Sequence, residues 1–328
     1  MRIAFIGSGH WAPIKFAESI SSDIYIVRYE HHNTLLKYLS VLKAFFFSFK
    51  MPKYDIYLID GDISLFIAVV KKIFLREKCK IIVRVNNALF SRYGLSRYKI
   101  VLAKFLTRRI DGVISVSPLI DEDVKKSGIP SRIVYSFLKD TSFFKIKPDF
   151  ENENILGIGT TVNMRTGTDI LVDAFKLAKQ KDENIGKLFV LGHKFVIKNL
   201  IEKNENEDIE FTGYRNPKDY MKKCSVFVHP ARFEPGPNTV IEAMAAGLVP
   251  IVSNKTGHKY IVEKIDRKLV VNSLNPADYA YTILYLLKDK KELEKLSTKC
   301  KDIAKEYTKE KQTEKFRTAF FDLLREIS

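Results

Sequence analysis

Residues 224–254, CSVFVHPARFEPGPNTVIEAMAAGLVPIVSN, constrain this chain more than any other stretch. They read as strand, loop, helix, strand. The apolar run SVFVH stops at Pro230, and a loop holding Pro235, Gly236 and Pro237 follows. Asn238 is suited to cap the helix TVIEAMAA, because its side-chain oxygen can accept a first-turn N–H. Gly247 supplies a left-handed residue to end that helix, and VPIVS follows at once as the next strand. Glu234 lies before the loop and Glu242 in the helix, eight positions apart. Amides at a helix N-terminus attract negative charge, and paired carboxylates accept hydrogen bonds from vicinal hydroxyls. The stretch therefore suits a phosphate or a sugar.

The same rhythm runs through the chain. IAFIG, DIYIVRYE, YDIYLID, KIIVRV, GVISV and RIVYS read as strands separated by helical stretches. NILGIGT, GKLFVLGH, IEFTGY, CSVFVH, VPIVSN and KLVVN repeat the pattern in the second half. Near-continuous apolar strands alternating with helices predict an α/β protein with mainly parallel sheets covered on both faces. Between the halves, KDTSFFKIKPDFENEN is polar and aperiodic and reads as a linker. Residues 276–328 are helical in pattern. The expected domains are 1–148 and 149–307, with a final helix at about 308–328 packing back on the first.

The 328 residues suffice for two such domains, and 46% apolar content is that of a soluble globular protein. Three widely spaced cysteines (Cys79, Cys224, Cys300) form no metal-like pair, which fits a reducing compartment and a cytoplasmic protein. MRIAFIG is too short for a signal-peptide core, and no run approaches the ~20 apolar residues of a membrane span. The longest candidate, residues 35–49, is interrupted by Lys37 and Lys43.

Net charge is +16 and unevenly placed. Residues 1–150 hold 25 Lys and Arg against 13 Asp and Glu; residues 151–328 hold 30 against 26. No acid occurs between Glu77 and Asp111, where nine basic residues interleave with aromatic and aliphatic ones. Residues 78–110 thus read either as a solvated basic face or as a surface for anionic lipid on the inner membrane face. No nucleic-acid motif accompanies the charge, so nucleic acid is not an expected partner.

Gly7-Ser8-Gly9-His10-Trp11-Ala12 matches G-x-G-x-x-G/A after a strand, with Glu30 near where a ribose-binding acid would stand. That raises an NAD-dependent oxidoreductase as an alternative, although any α/β domain can place glycines where its first strand meets a helix. The other functional reading makes Gly9 and His10 an acceptor-side loop. His193 and His229 also end strands, where ligands of open α/β sheets bind. None of the six histidines pairs at metal-ligand spacing with another His, Cys or acidic residue on one helix.

Residues 211–257, FTGYRNPKDYMKKCSVFVHPARFEPGPNTVIEAMAAGLVPIVSNKTG, resemble the nucleotide-sugar-binding domain of retaining glycosyltransferases of family 4. Glu234 and Glu242 fit that family's E-x7-E element, and EAMAAG follows as it does there. KLFVLGH, ILGIGT and GTDILVDAFKLAK are similar to the preceding elements of the same domain. DGVISVSPLIDEDVKKSGIP and Asp140…Phe144 resemble the family's last unit before the linker and its D-x-x-x-F.

The resemblance implies a GT-B fold, two Rossmann-like domains facing a central cleft, with donor on the second and acceptor on the first. It implies transfer of a hexose from a nucleotide diphosphate sugar to an acceptor hydroxyl with retention, with no cofactor beyond that donor. The basic first half suits a lipid-linked sugar or polysaccharide acceptor. Glu234 would meet the hexose hydroxyls as the catalytic residue and Glu242 the ribose. Arg165, Gly236, Asn238 and Thr239 would face sugar and diphosphate, and Tyr214 and Arg215 the base.

The chain also departs from that pattern. Thr160-Thr161 stand where the family carries an Arg, and Thr166 where a Lys is usual. The Glu-Gly-Phe-Gly loop is Glu-Pro-Gly-Pro here, and Tyr260 replaces a Glu, with Glu263 the nearest acid. Lys255, Lys194 or the basic first half are candidate substitutes for the missing cation. A non-catalytic nucleotide-sugar-binding homologue therefore stands as a further alternative.

Overall fold

A computed structural model describes the chain except for residues 8–10, 21, 28–33, 87–88, 91–96, 162–163 and 194–197. Gly9, His10, Glu30, His31, His32 and Lys194 fall outside the described residues. The chain divides into two compact units, Met1–Ser136 with Glu310–Ser328, and Phe137–Lys309.

In the first unit, β1 (Ile3–Gly7), β2 (Asp23–Ile26), β3 (Ile56–Asp60), β4 (Lys80–Val85), β5 (Gly112–Ser115) and β6 (Ser131–Ile133) form one sheet. Its order is β2-β1-β3-β4-β5-β6 and every pairing is parallel. Central strands β1, β3 and β5 are buried throughout, as continuous runs of Ile, Val, Leu and aromatic residues require. The edge strands β2 and β6 are short and more exposed than the central ones.

The second sheet, order β12-β11-β10-β7-β8-β9, is likewise parallel. Its strands are β7 (Ile155–Thr161), β8 (Leu188–His193), β9 (Ile209–Gly213), β10 (Val226–His229), β11 (Val249–Ser253) and β12 (Val270–Val271). Helix Thr168–Lys181 packs on helix Pro276–Leu287, and helix Asn238–Ala246 on helix Lys290–Ala304. The alanines of the 238–246 helix let the backbones approach closely. A Cβ on Gly247 (φ +90°) would stand 2.6 Å from Lys301 Cε, so this position demands glycine.

The stretch expected as a linker belongs to the second unit. Asp140 caps a 3-10 turn over Thr141–Lys145 by accepting the Ser142 N–H at 2.8 Å, and it is also bonded by Lys218. These bonds, that of Lys218 first, hold its carboxyl down at about 2. Phe143 is buried, and Lys218 Nζ lies 5.2 Å from its ring centroid. Capping and a single aromatic anchor fix a segment that lacks period.

Candidate functional site

The carboxyl ends of β7, β8, β9 and β10 open into a cavity of about 550 Å³ in the second unit, where ligands of open parallel sheets bind. Glu234, Glu242, Arg165, Gly236, Asn238, Thr239, Tyr214 and Arg215 all line it. Every donor-side residue singled out from the sequence thus reaches one wall. Lys139, Thr166, Gly192 and His229 join them.

The loop after β10 is held at both ends. Arg232 makes a two-pronged bond to Asp169, Nη1 to Oδ1 at 2.8 Å and Nη2 to Oδ2 at 2.6 Å. It also donates to the Met164 carbonyl, and its own N–H meets Arg165 O at 2.8 Å. The turn 164–167 is therefore tied to the 230–234 loop. Gly167 closes that turn at φ +76°, and a Cβ there would lie 2.0 Å from the Pro230 carbonyl oxygen. Only glycine fits. On the far side, Glu234 N–H donates to Lys255 O at 3.1 Å and Glu234 O accepts from Gly257 N–H at 2.8 Å. Ser253 Oγ donates to Ala231 O at 2.5 Å.

Within this frame Arg165 Nη1 reaches Glu234 Oε2 at 2.6 Å and Phe233 O at 3.0 Å. The proposed sugar carboxylate and the diphosphate cation thus touch. Arg165 keeps half its side chain in solvent, so the pair itself contributes little to stability. Lys255 does not line the cavity and meets Glu234 through its backbone.

Helix Asn238–Ala246 starts one residue earlier than its cap pattern suggests. Pro237 occupies the cap position, and Asn238 makes no cap bond. Asn238 Oδ1 is instead buried without a hydrogen-bond partner. Backbone constraint explains the shift: the proline ring fixes Pro237 in extended geometry (φ −72°, ψ 105°), the conformation a cap needs. The first-turn N–H groups of Asn238 and Thr239 have no intrahelical acceptor, and both residues line the cavity. His229 Nε2 is a second buried atom without a partner. Two such atoms on one wall call for a polar occupant.

Electrostatics follow burial. Burial pushes the Glu242 carboxyl above the usual range; Lys139 and Lys218 oppose it and Asp140 adds to it. Burial, with the Arg165 charge, holds His229 down at about 4. His258 is held at about 3, by burial first. At the opposite end of the cavity, Tyr214 stacks on His193, centroids 5.0 Å apart and planes 10° from parallel. Tyr214 remains 70% exposed, leaving ring surface for a planar ligand.

The sequence reading passed over Lys139 and the Arg232–Asp169 clamp. Lys139 precedes Asp140 in the aperiodic stretch, and nothing local ties it to residues a hundred positions on. Arg232 lies in PARFE between the strand and Glu234, but its partner is 63 positions away. Only the parallel pairing of β7 with β10 brings them together.

Twin parallel α/β units with a polar cavity at the carboxyl edge of the second sheet define the GT-B architecture of glycosyltransferases. Anabaena HepE, solved with UDP, superposes with a TM-score of 0.75 at 16% identity over 98% of this chain and 100% of that one. Sucrose-phosphate synthase of Thermosynechococcus elongatus gives 0.77 at 14% identity over 99% and 100%. The chain belongs to the family described as glycosyl transferases group 1, whose profile matches residues 139–306, just over half of the chain. It is also 28% identical over 220 residues to the uncharacterized glycosyltransferase MJ1178 of Methanocaldococcus jannaschii. That match spans 63% of this chain and 58% of the relative.

Proposed function

We propose that the protein transfers a hexose from a nucleotide diphosphate sugar to an acceptor hydroxyl with retention, as a family 4 glycosyltransferase. The observation that carries this reading is the convergence of two carboxylates (Glu234, Glu242), two guanidinium groups (Arg165, Arg215) and the first-turn residues of a helix on a single cavity. Glu234 accepts hydrogen bonds from hexose hydroxyls at the reacting end. Arg165 swings from Glu234 to the diphosphate, where a planar guanidinium can make two parallel bonds. The amides of Gly236, Asn238 and Thr239 stabilise the charge that develops on the leaving phosphate. Glu242 receives the ribose hydroxyls, and Tyr214 and Arg215 flank the base. The prolines flanking Gly236 withdraw two donors and stiffen the loop that presents the remaining ones. HepE has been solved with UDP and glucose, which supports a uridine nucleotide as the first donor to test.

On this reading Gly9 and His10 serve the acceptor, a lipid-linked sugar or polysaccharide. The protein works in the cytoplasm, peripheral on the inner membrane face, and needs no metal: cations and helix amides take the charge a metal would. A thermal-shift series with UDP-, GDP-, ADP- and dTDP-sugars tests the proposal. One class raises the melting temperature, since ligand at 100 Kd adds about 2.7 kcal/mol. Turnover of that donor then falls on the order of a hundredfold in Glu234→Ala. Binding without turnover would favour the non-catalytic homologue, and no shift with any of the four classes would defeat both.

A further inference from the structure

We infer that the first unit carries a preformed docking face for an anionic bilayer, centred on Phe46, Phe49, Phe74, Val101, Leu102 and Phe105. This deepens the peripheral placement proposed above and rests on that reading of where the protein works. Helices Thr34–Lys50, Asp62–Ile73 and Arg97–Thr107 connect successive parallel strands that step across the sheet in one direction, so right-handed crossovers put all three on one face. The middle helix packs against each of the others. The opposite face is taken by helices Trp11–Ser19 and Lys309–Ile327, where Phe16 and Phe316 stack at 4.6 Å.

Large apolar side chains stand in solvent along this face. Phe46 is 59% exposed, Phe74 66% and Val101 68%. Phe45 links the aromatic group, its ring centroid 5.8 Å from Phe46, 5.1 Å from Phe49 and 6.1 Å from Phe74. Scattered apolar residues need no explanation, but an exposed aromatic group joining the ends of two neighbouring helices does, and Val101, Leu102 and Phe105 stand exposed on the third helix. The group is also held rigidly. Lys71, fully buried, pairs with Glu77 at 3.0 Å and donates to the carbonyls of Ser48 at 3.1 Å and Met51 at 2.8 Å. It thereby fixes the end of the first helix beside Phe74.

Charge identifies the occupant. The one acid in the three helices is Asp62, exposed at the start of the middle helix and twelve positions before Phe74, whereas Lys43, Lys50 and Lys104 within them and Arg108 and Arg109 just after the last are exposed. Asp111, the nearest acid after the last helix, is neutralised by Lys72 at 2.5 Å. Arg84, one of the nine basic residues of 78–110, drops out because it is buried beside Asp60. An apolar centre with a cationic rim matches a bilayer surface with anionic headgroups. A second copy would set basic rim against basic rim, and a nucleic acid offers nothing to Val101 or Leu102. Among the described residues no helix is long and apolar enough to cross a membrane, so contact is interfacial.

Co-sedimentation of the full chain with vesicles tests this. At about 0.1 M salt the protein should pellet with vesicles of one part phosphatidylglycerol to two parts phosphatidylcholine, and stay in solution with phosphatidylcholine alone. Raising salt to about 1 M should release it, since screening then acts within ~3 Å. Phe46→Ser with Phe74→Ser should weaken partitioning roughly tenfold, and Lys104→Glu or Arg108→Glu by at least about fivefold each. Arg317→Glu, exposed on the opposite helix, should change nothing. Equal pelleting with both vesicle types would overturn the proposal. So would wild-type pelleting by the Phe and Lys variants, or a concentration-dependent dimer that Phe46→Ser dissolves. A UDP-glucose thermal shift, read on the same samples without vesicles, reports the donor site separately. Its absence, with no shift from GDP-, ADP- or dTDP-sugars either, would sink the transferase reading while leaving the docking result standing.

Discussion

Glu242 is the residue where function and stability pull apart. Its carboxyl is raised by burial, so the folded protein holds that proton above the pH at which the unfolded chain, near ~4.5, releases it. Stability from this group is complete at low pH and lost as pH rises through the folded-state value. Glu242→Gln keeps the shape and removes the buried charge. At pH 7 it should raise the melting temperature by about 2–4 °C, the shift 1 kcal/mol produces in a domain of 150–250 residues. At pH 4 the two proteins should melt together. With Glu242 in its proposed role at the ribose, donor binding should weaken at least about tenfold, because an amide is a poorer partner for the hydroxyls than a carboxylate. Equal melting at both pH values would show that the carboxylate is not strained. His229 has the opposite sign. Its folded value of about 4 lies below the ~6.5 of an unfolded chain, so its contribution is intact above about pH 6.5 and lost as pH falls toward 4. His229→Gln should flatten the melting-temperature profile across that window; an unchanged slope would assign the acid loss to other groups, such as His258.

At the scale of elements, the central strands were legible because each is a short run of β-branched, Leu and aromatic residues bounded by a turn, and a strand buried on both faces admits little else. The cavity wall around Glu234 and Glu242 was legible for a different reason. Its strand, loop and helix are contiguous in residues 226–246, so spacing alone brings Glu234 and Glu242 near one another. Contacts made across the sheet were not legible. Arg232 with Asp169 and Lys218 with Asp140 pair residues more than sixty positions apart, and charge patterning within one helix says nothing about them. The Asn238 cap failed because two rules competed for one turn, and Pro237's fixed φ outweighed an Asn hydrogen bond. The turn 164–167 offers the sharpest test at this scale. Gly167→Ala forces a Cβ onto the Pro230 carbonyl at a left-handed φ. It should destabilise the second unit by about 1–3 kcal/mol. By displacing Arg165 it should also weaken diphosphate-sugar binding more than nucleoside monophosphate binding. Parallel loss of both ligands would mean that the turn supports the fold but not the diphosphate.

For the whole molecule, the chain leaves its first unit after Ser136 and returns to it at Glu310. The last nineteen residues complete a core begun three hundred positions earlier. Phe316 and Phe320 are fully buried, and Phe316 stacks on Phe16 with planes 13° apart. A Cβ on Gly112, where β5 begins, would stand 3.0 Å from Leu323, so the glycine makes room for the returning helix. Arg132 bonds Glu326 at 2.7 Å and Lys80 reaches the Ile327 carbonyl, which ties β6 and β4 to the same element. The helix expected at about 308–328 covers the first sheet through the burial of Phe316 against Phe16, a contact that helical periodicity does not specify. Phe316→Ala removes a ring from this core and should cost about 3–5 kcal/mol. Because both partners of that stack lie in the first unit, the loss should fall there alone. Calorimetry should resolve two transitions, the lower one shifted down by the substitution. UDP-glucose should raise only the upper one, since every residue lining the proposed donor cavity belongs to the second unit. A single transition that ligand and substitution move together would instead show that the two units unfold as one cooperative body.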